Sequence, residues 1–70
     1  MYEEIVRQKI ILLRREAEIT QQELADKIGE ERTKIAKLEL GLRNPDINIV
    51  GKIAKFYDVS IDWIFGEGKR

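Results

Sequence analysis

Apolar residues recur at three- and four-residue spacing in successive runs along the chain, and most runs are bounded by residues that start or stop a helix. Val6, Ile10, Leu13 and Ala17 form the first stripe, flanked by Ile5 and Leu12, and predict a helix from Tyr2 to about Ala17. Glu3 and Glu4 stand near its start and Arg14 and Arg15 near its end, the order the helix dipole favours. Ile11 falls off this stripe, as an isolated exposed residue or as a contact for a partner. Thr20 followed by Glu23 is a capping box, and Ile19 with Leu24 adds a hydrophobic staple. A second helix is therefore predicted from Gln21 to Ile28, with Leu24, Ala25 and Ile28 on one face and Gly29 closing it. Ile35, Ala36 and Leu38 predict a third helix over Glu31 to Leu40, closed by Gly41 and packed on the Leu24 and Ile28 side of the second. Ala25 has almost no side chain, so the two axes can approach closely.

Pro45 disfavours helix at Asn44, so the stretch from Gly41 to Pro45 is a turn. Asp46 is placed to cap a fourth helix whose Ile47, Val50, Ile53, Ala54 and Tyr57 repeat at helical spacing, widened by Ile49 and Phe56. Gly51 inside it costs about 1 kcal/mol against alanine. Either a close contact requires the glycine, the preferred reading, or the helix is weak there. Ser60 caps a last helix from Ile61 to Phe65, Gly66 ends it, and residues 67–70 are expected to be disordered. The pattern as a whole describes one all-α, five-helix domain over residues 1–66.

Composition narrows the chemistry. A chain of 70 residues gains only a few kcal/mol of net stability from its core. It contains neither cysteine nor histidine, which removes disulfides, the usual zinc ligands and catalysis by thiolate or imidazole. The 13 carboxylates are not arranged as an acid and base pair; Glu3 with Glu4, and Glu30 with Glu31, read as solvated helix starts. The five glycines are scattered rather than clustered before a helix, so no phosphate-cradling loop is present. No enzyme activity, metal, cofactor or small-molecule effector is expected. The opening MYEEIVRQKI suits neither a signal peptide nor a membrane span, so a soluble cytoplasmic protein without membrane contact is expected. Thirteen basic and 13 acidic residues cancel, unlike the excess of positive charge in a strongly electrostatic nucleic-acid binder.

The spacing of Thr20, Gln21, Glu23, Leu24, Ala25, Ile28, Gly29, Ile35, Leu38, Glu39, Gly41, Arg43 and Pro45 resembles the Cro/cI repressors, the XRE-type helix-turn-helix family. VSIDWIFGE, from Val59 to Glu67, is similar to the last helix of that family, and the likeness runs from about Ile10 to Glu67. It implies a five-helix domain of the phage-repressor type that binds double-stranded DNA and regulates transcription, mostly by repression. In a helix-turn-helix the second helix of the motif enters the major groove and its N-terminal residues meet base edges. The resemblance puts the base-reading positions on Arg32, Thr33 and Lys37. Arg32 would pair with guanine O6 and N7, Thr33 would offer its hydroxyl or methyl group, and Lys37 would reach guanine or phosphate. Phosphate contacts fall on Gln21 and Gln22 at the start of the second helix, on Lys34, and on Arg43 and Asn44 in the loop. A buried ion pair between Arg14 and Glu39 is implied as well, tying the first helix to the third.

One short helix reads few bases, so a homodimer on a near-palindromic operator is expected. Leu40, Leu42, Trp63 and Phe65 are the candidate interface, with Trp63 alternatively a core residue. The main departure from the family lies at Glu30 and Glu31, which replace an apolar residue and a small hydroxyl cap. Zero net charge keeps a second reading open: a protein-interaction module on the same fold, such as an antitoxin-like or adaptor protein.

Overall fold

The computed structural model describes residues 2–70 and contains five helices among them: α1 (Tyr2–Ala17), α2 (Gln21–Ile28), α3 (Arg32–Leu40), α4 (Ile47–Tyr57) and α5 (Ile61–Ile64). Their starts are set by local chemistry. Thr20 Oγ1 accepts a hydrogen bond from the Glu23 amide at 3.0 Å, and the Thr20 amide donates to Glu23 Oε1 at 2.9 Å, which completes the capping box. Asp46 Oδ1 accepts from the Ile49 amide at 3.0 Å, and Ser60 Oγ accepts from the Trp63 amide at 2.9 Å. Gly29 and Gly41 close α2 and α3 in the left-handed conformation, with φ of 70° and 76°. Glu18 and Asp58 adopt the same conformation without being glycine, both at φ 56°, and end α1 and α4.

Twelve apolar side chains form a single core: Val6, Ile10 and Leu13 of α1, Leu24 and Ala25 of α2, Ile35 and Leu38 of α3, Ile49, Val50, Ile53 and Ala54 of α4, and Ile64 of α5. Helix α1 lies against α3 and α5, and α2 packs on α3 and α4, so the α2–α3 pair is supported from behind on two sides. Ile19, Ile28, Tyr57, Val59, Trp63 and Phe65 complete the core as partly buried residues.

The structure corrects several expectations. Glu31 lies outside α3 as its N-cap, and α5 stops at Ile64. Ile47 is 60% exposed, because the buried face of α4 is centred on Ile49, Val50, Ile53 and Ala54, about 90° around the helix from it. Ala17 is exposed at the last residue of α1, where the chain turns away. Ile11 is half-buried rather than isolated in solvent. A methyl group added at Gly51 would lie 3.9 Å from Ile61 Cδ1, an ordinary contact, so no close approach requires that glycine. Residues 67–70, expected to be disordered, fold back on the domain: Ser60 Oγ donates to the Lys69 carbonyl at 2.8 Å, and Arg70 pairs with Glu16.

Candidate nucleic-acid interface

Helix α3 has two different sides. Ile35, Leu38 and Glu39 are buried, whereas Arg32, Thr33 and Lys37 are exposed on the other side. The turn from Gly29 to Glu31 sets where the exposed side begins. The Gly29 and Glu30 amides both donate to the Ala25 carbonyl, Glu30 at 2.9 Å, which closes α2 tightly before α3 starts. At Glu31 the backbone is extended and its side chain makes no capping hydrogen bond; the Lys34 amide donates to the Glu31 carbonyl at 3.0 Å, and the first turn of α3 has no side-chain cap.

The other end of α3 is held from three directions. Arg14 donates to both carboxylate oxygens of Glu39, from Nε to Oε2 at 2.7 Å and from Nη2 to Oε1 at 2.8 Å. Arg14 Nη1 also donates to the Ile19 carbonyl at 3.0 Å, which anchors the end of α1 to the segment entering α2. Gln21 Nε2 adds a third bond to Glu39 Oε1 at 3.0 Å, and Arg7 Nη1 donates to the Glu39 carbonyl at 3.2 Å. Glu39 is only 7% exposed. Burial pushes its carboxyl up; the hydrogen bonds from Arg14 and Gln21, with the charges of Arg14 and Arg15, more than offset this and leave it below its ordinary value. The bond to Glu39 likewise raises the Arg14 guanidinium, against the opposing effect of burial.

Gln21 joins the two ends of the site. Its amide nitrogen is committed to Glu39, which turns its Oε1 toward Arg32, whose Nη1 lies 3.5 Å away at the limit of a hydrogen bond. Arg14, Glu39, Gln21 and Arg32 thus form a polar chain from the core to the exposed face. Gln22 is exposed and donates to Asp26 Oδ1 at 2.8 Å, and Asn44 is exposed in the loop after α3. The two cationic candidates for phosphate contact are engaged as well. Lys34 Nζ donates to Glu30 Oε1 at 3.0 Å, and Arg43 Nη2 donates to Asp46 Oδ2 at 3.3 Å. Lys52 of α4 approaches the same Glu30 carboxylate, 2.5 Å from Oε2, and was not singled out by sequence. Glu30, in the turn before α3, and Lys52, in α4, are 22 positions apart, so no local spacing links them. Arg7, 32 positions from Glu39, escaped notice for the same reason.

The four candidate dimer residues do not share one environment. Leu40 and Leu42 are 68% and 73% exposed on either side of Gly41. Trp63 and Phe65 are half-buried against the core; the Lys9 ammonium stands 4.1 Å from the Trp63 ring centre, and Phe65 meets Tyr2 edge to face at 5.7 Å. Among the described residues, no helix is long and apolar enough to cross a membrane.

A capped helix, a tight left-handed turn and a second helix with one buried and one polar side define a helix-turn-helix domain. The sequence profile of the helix-turn-helix family matches residues 10–64, and the chain belongs to that family, in its XRE-type, Cro/cI-like branch. The regulator YqaE of Bacillus subtilis, described as an uncharacterized HTH-type transcriptional regulator, is 39% identical over 51 residues, covering 73% of this chain and 44% of that protein. An uncharacterized HTH-type transcriptional regulator of Methanocaldococcus jannaschii is 43% identical over 47 residues, 67% of this chain and 71% of its own. One from Archaeoglobus fulgidus is 37% identical over 60 residues, 86% of this chain and 84% of the relative. The chain therefore spans less than half of the Bacillus relative but most of the Archaeoglobus one. No solved structure matches it significantly.

Proposed function

We propose that this chain is a sequence-specific, double-stranded-DNA-binding transcriptional repressor of the cytoplasm that inserts α3 into the major groove. The observation that carries the reading is the division of α3, with Ile35, Leu38 and Glu39 locked into the domain while Arg32, Thr33 and Lys37 face solvent. The transcriptional role named for the bacterial and archaeal relatives supports it. Arg32 has the donors to read guanine O6 and N7, and its Nη1 stands 3.5 Å from Gln21 Oε1. Thr33 offers a hydroxyl and a methyl group to the neighbouring base, and Lys37 reaches guanine or phosphate. Gln21, Gln22, Lys34, Arg43 and Asn44 flank this face and take the phosphates, which fix register without reading sequence. Occupying an operator excludes the transcription machinery from it, and that occlusion is the repressive act.

The domain works as a homodimer on a near-palindromic operator. Its longest dimension is 28 Å, short of the span of about 34 Å between successive major-groove sites on one face of the duplex. A second copy supplies the second recognition helix. Exposed Leu40 and Leu42 at the end of α3 provide apolar surface for that contact, with Trp63 and Phe65 contributing only their uncovered edges. The same leucines are the observation behind the rival reading, a surface for a different protein.

Selection of bound sequences from a random DNA pool tests the reading, combined with sedimentation of the resulting complex. A two-fold symmetric motif carrying two chains per duplex is expected. Absence of any enriched motif would contradict DNA readout, and one chain per duplex would contradict the dimer.

A further inference from the structure

The turn that opens α3 carries an arrangement that base reading does not explain. Glu30 is in the turn, its side chain is only 12% exposed, and its two carboxylate oxygens accept from ammonium groups on two different helices, Lys34 of α3 and Lys52 of α4. Both lysines open onto one pocket, lined also by Arg43, Asp46 and Asn48. Three cations therefore surround this pocket, and both carboxylates on its wall are committed to them. Within it, Arg43 Nε is buried and has no hydrogen-bond partner among the described residues, while its Nη2 makes only the 3.3 Å contact to Asp46. Hydrogen bonds from Lys52 and Lys34 hold the Glu30 carboxyl below its ordinary value, so it is an anion at neutral pH.

We propose that Lys52 is a further phosphate-binding residue of this domain, and that Glu30 withholds it, together with Lys34, until DNA phosphate takes the place of the carboxylate. The proposal rests on the DNA reading above and adds to it. Because one carboxylate bridges both ammonium groups, Lys52 stands beside Lys34, which follows Thr33 directly in α3. Lysine carries its charge on a flexible four-carbon stem, so the two ammonium groups can change partner without moving either helix. The Lys34 and Lys52 side chains are 37% and 48% exposed, so water weakens their pairing with Glu30, and duplex DNA presents one negative charge about every 1.7 Å along its axis. A correctly seated operator phosphate can therefore displace the carboxylate, whereas loosely held, unspecific DNA competes poorly for the same lysines. The device lowers affinity for the wrong DNA more than for the right one, in keeping with a domain whose formal net charge is zero.

The test is a cycle of four proteins: wild type, Glu30→Gln, Lys52→Gln and the double variant. Each is titrated with a selected operator and with a scrambled duplex over a range of salt, after thermal melting has shown that all four are folded. Each phosphate neutralised contributes about 0.9 to the slope of log K against log salt. On scrambled DNA, Glu30→Gln is expected to bind more tightly and to steepen the slope by up to about 1.8, two lysines' worth. Lys52→Gln is expected to leave the wild-type slope on scrambled DNA unchanged, but to remove about 0.9 of it in the Glu30→Gln background. An equal effect of Lys52→Gln in both backgrounds, or an effect in neither, overturns the proposal. If wild type still prefers the operator while the cycle is flat, the proposal alone fails; if no variant binds any duplex, it fails together with the DNA reading.

Discussion

The two ends of α3 are built on opposite terms. At the C-terminal end Glu39 is enclosed and receives three side-chain hydrogen bonds, two from Arg14 and one from Gln21, while Arg7 takes its carbonyl and Gly41 caps the helix. At the N-terminal end Glu31 is exposed and caps nothing, and Arg32 and Thr33 point outward with one marginal contact between them and the rest of the domain. The same residue type thus serves contrasting purposes at two positions eight residues apart, the N-cap of α3 and its last turn. Glutamate at one end ties the helix to α1 and α2, and glutamate at the other leaves the first turn without a side-chain cap. A recognition helix needs both, because a reading face that is free of internal partners is useful only if the body behind it cannot shift.

The largest expected effect breaks the anchored end. Arg14→Ala leaves the Glu39 carboxylate enclosed without its main partner, a loss of about 3 to 5 kcal/mol for a buried pair, comparable with the whole stability of so small a domain. Thr33→Ala, at the open end, is expected to stay within about 0.5 kcal/mol of wild type. Thermal or urea unfolding of the two variants measures the contrast directly. The double variant Arg14→Met/Glu39→Met is expected to recover much of the loss, since apolar replacement of both partners removes the uncompensated charge.

Acid sharpens the same difference. The Glu39 carboxyl lies below its ordinary value in the folded domain, so its contribution to stability is fully present above the unfolded glutamate pKa of about 4.3 and is lost as pH falls through the lower folded value. The Arg14→Met/Glu39→Met protein lacks that part of the acid transition. Its stability should therefore fall less than that of wild type below about pH 4.3, followed by urea midpoints at successive pH values.

A smaller effect is expected in the loop after α3, outside both ends. On the proposed assignment of Arg43 to phosphate, Arg43→Ala should weaken binding to all duplexes alike and lower the salt slope by about 1, since a phosphate contact carries no sequence information. Unequal losses across operators would instead make it a base-reading residue. Smallest is Glu31→Ser. Serine restores a cap to the open end, worth about 0.5 to 1 kcal/mol in thermal stability. With α3 seated in the groove as proposed, it also removes an anion from the end that approaches phosphate, so operator and scrambled DNA should both bind more tightly, chiefly at low salt. Loss of operator preference would mean that Glu31 accepts a hydrogen bond from cytosine.

What could be read in the sequence follows from how local each feature is. Thr20 with Glu23, Asp46 and Ser60 act within three residues of themselves, and all three make their caps in the structure. Helical periodicity found the core stripes for the same reason. It failed at Ile47, a quarter-turn off the buried face of α4, and at Ala17, on the stripe but beyond what covers it; neither fault is visible without the neighbouring helices. Gly51 looked like a packing requirement only because the space beside it could not be seen. The candidate site divides in the same way. The exposed side of α3 follows from the positions of Ile35 and Leu38, whereas the pairing of Arg14 with Glu39 came from family likeness. The engagement of Glu30 with Lys52 had no signal at all across 22 positions.

The central claim is that the open end of α3 reads bases while the closed end holds it still. The most direct test is to select bound sequences from one random DNA pool in parallel with wild type and with Arg32→Ala. The account predicts a two-fold symmetric motif for wild type and the same motif for Arg32→Ala, with a single base position in each half-site flattened, a discrimination of about 1 to 3 kcal/mol lost there. Identical motifs from the two proteins, or a preference weakened evenly across the whole site, would contradict it.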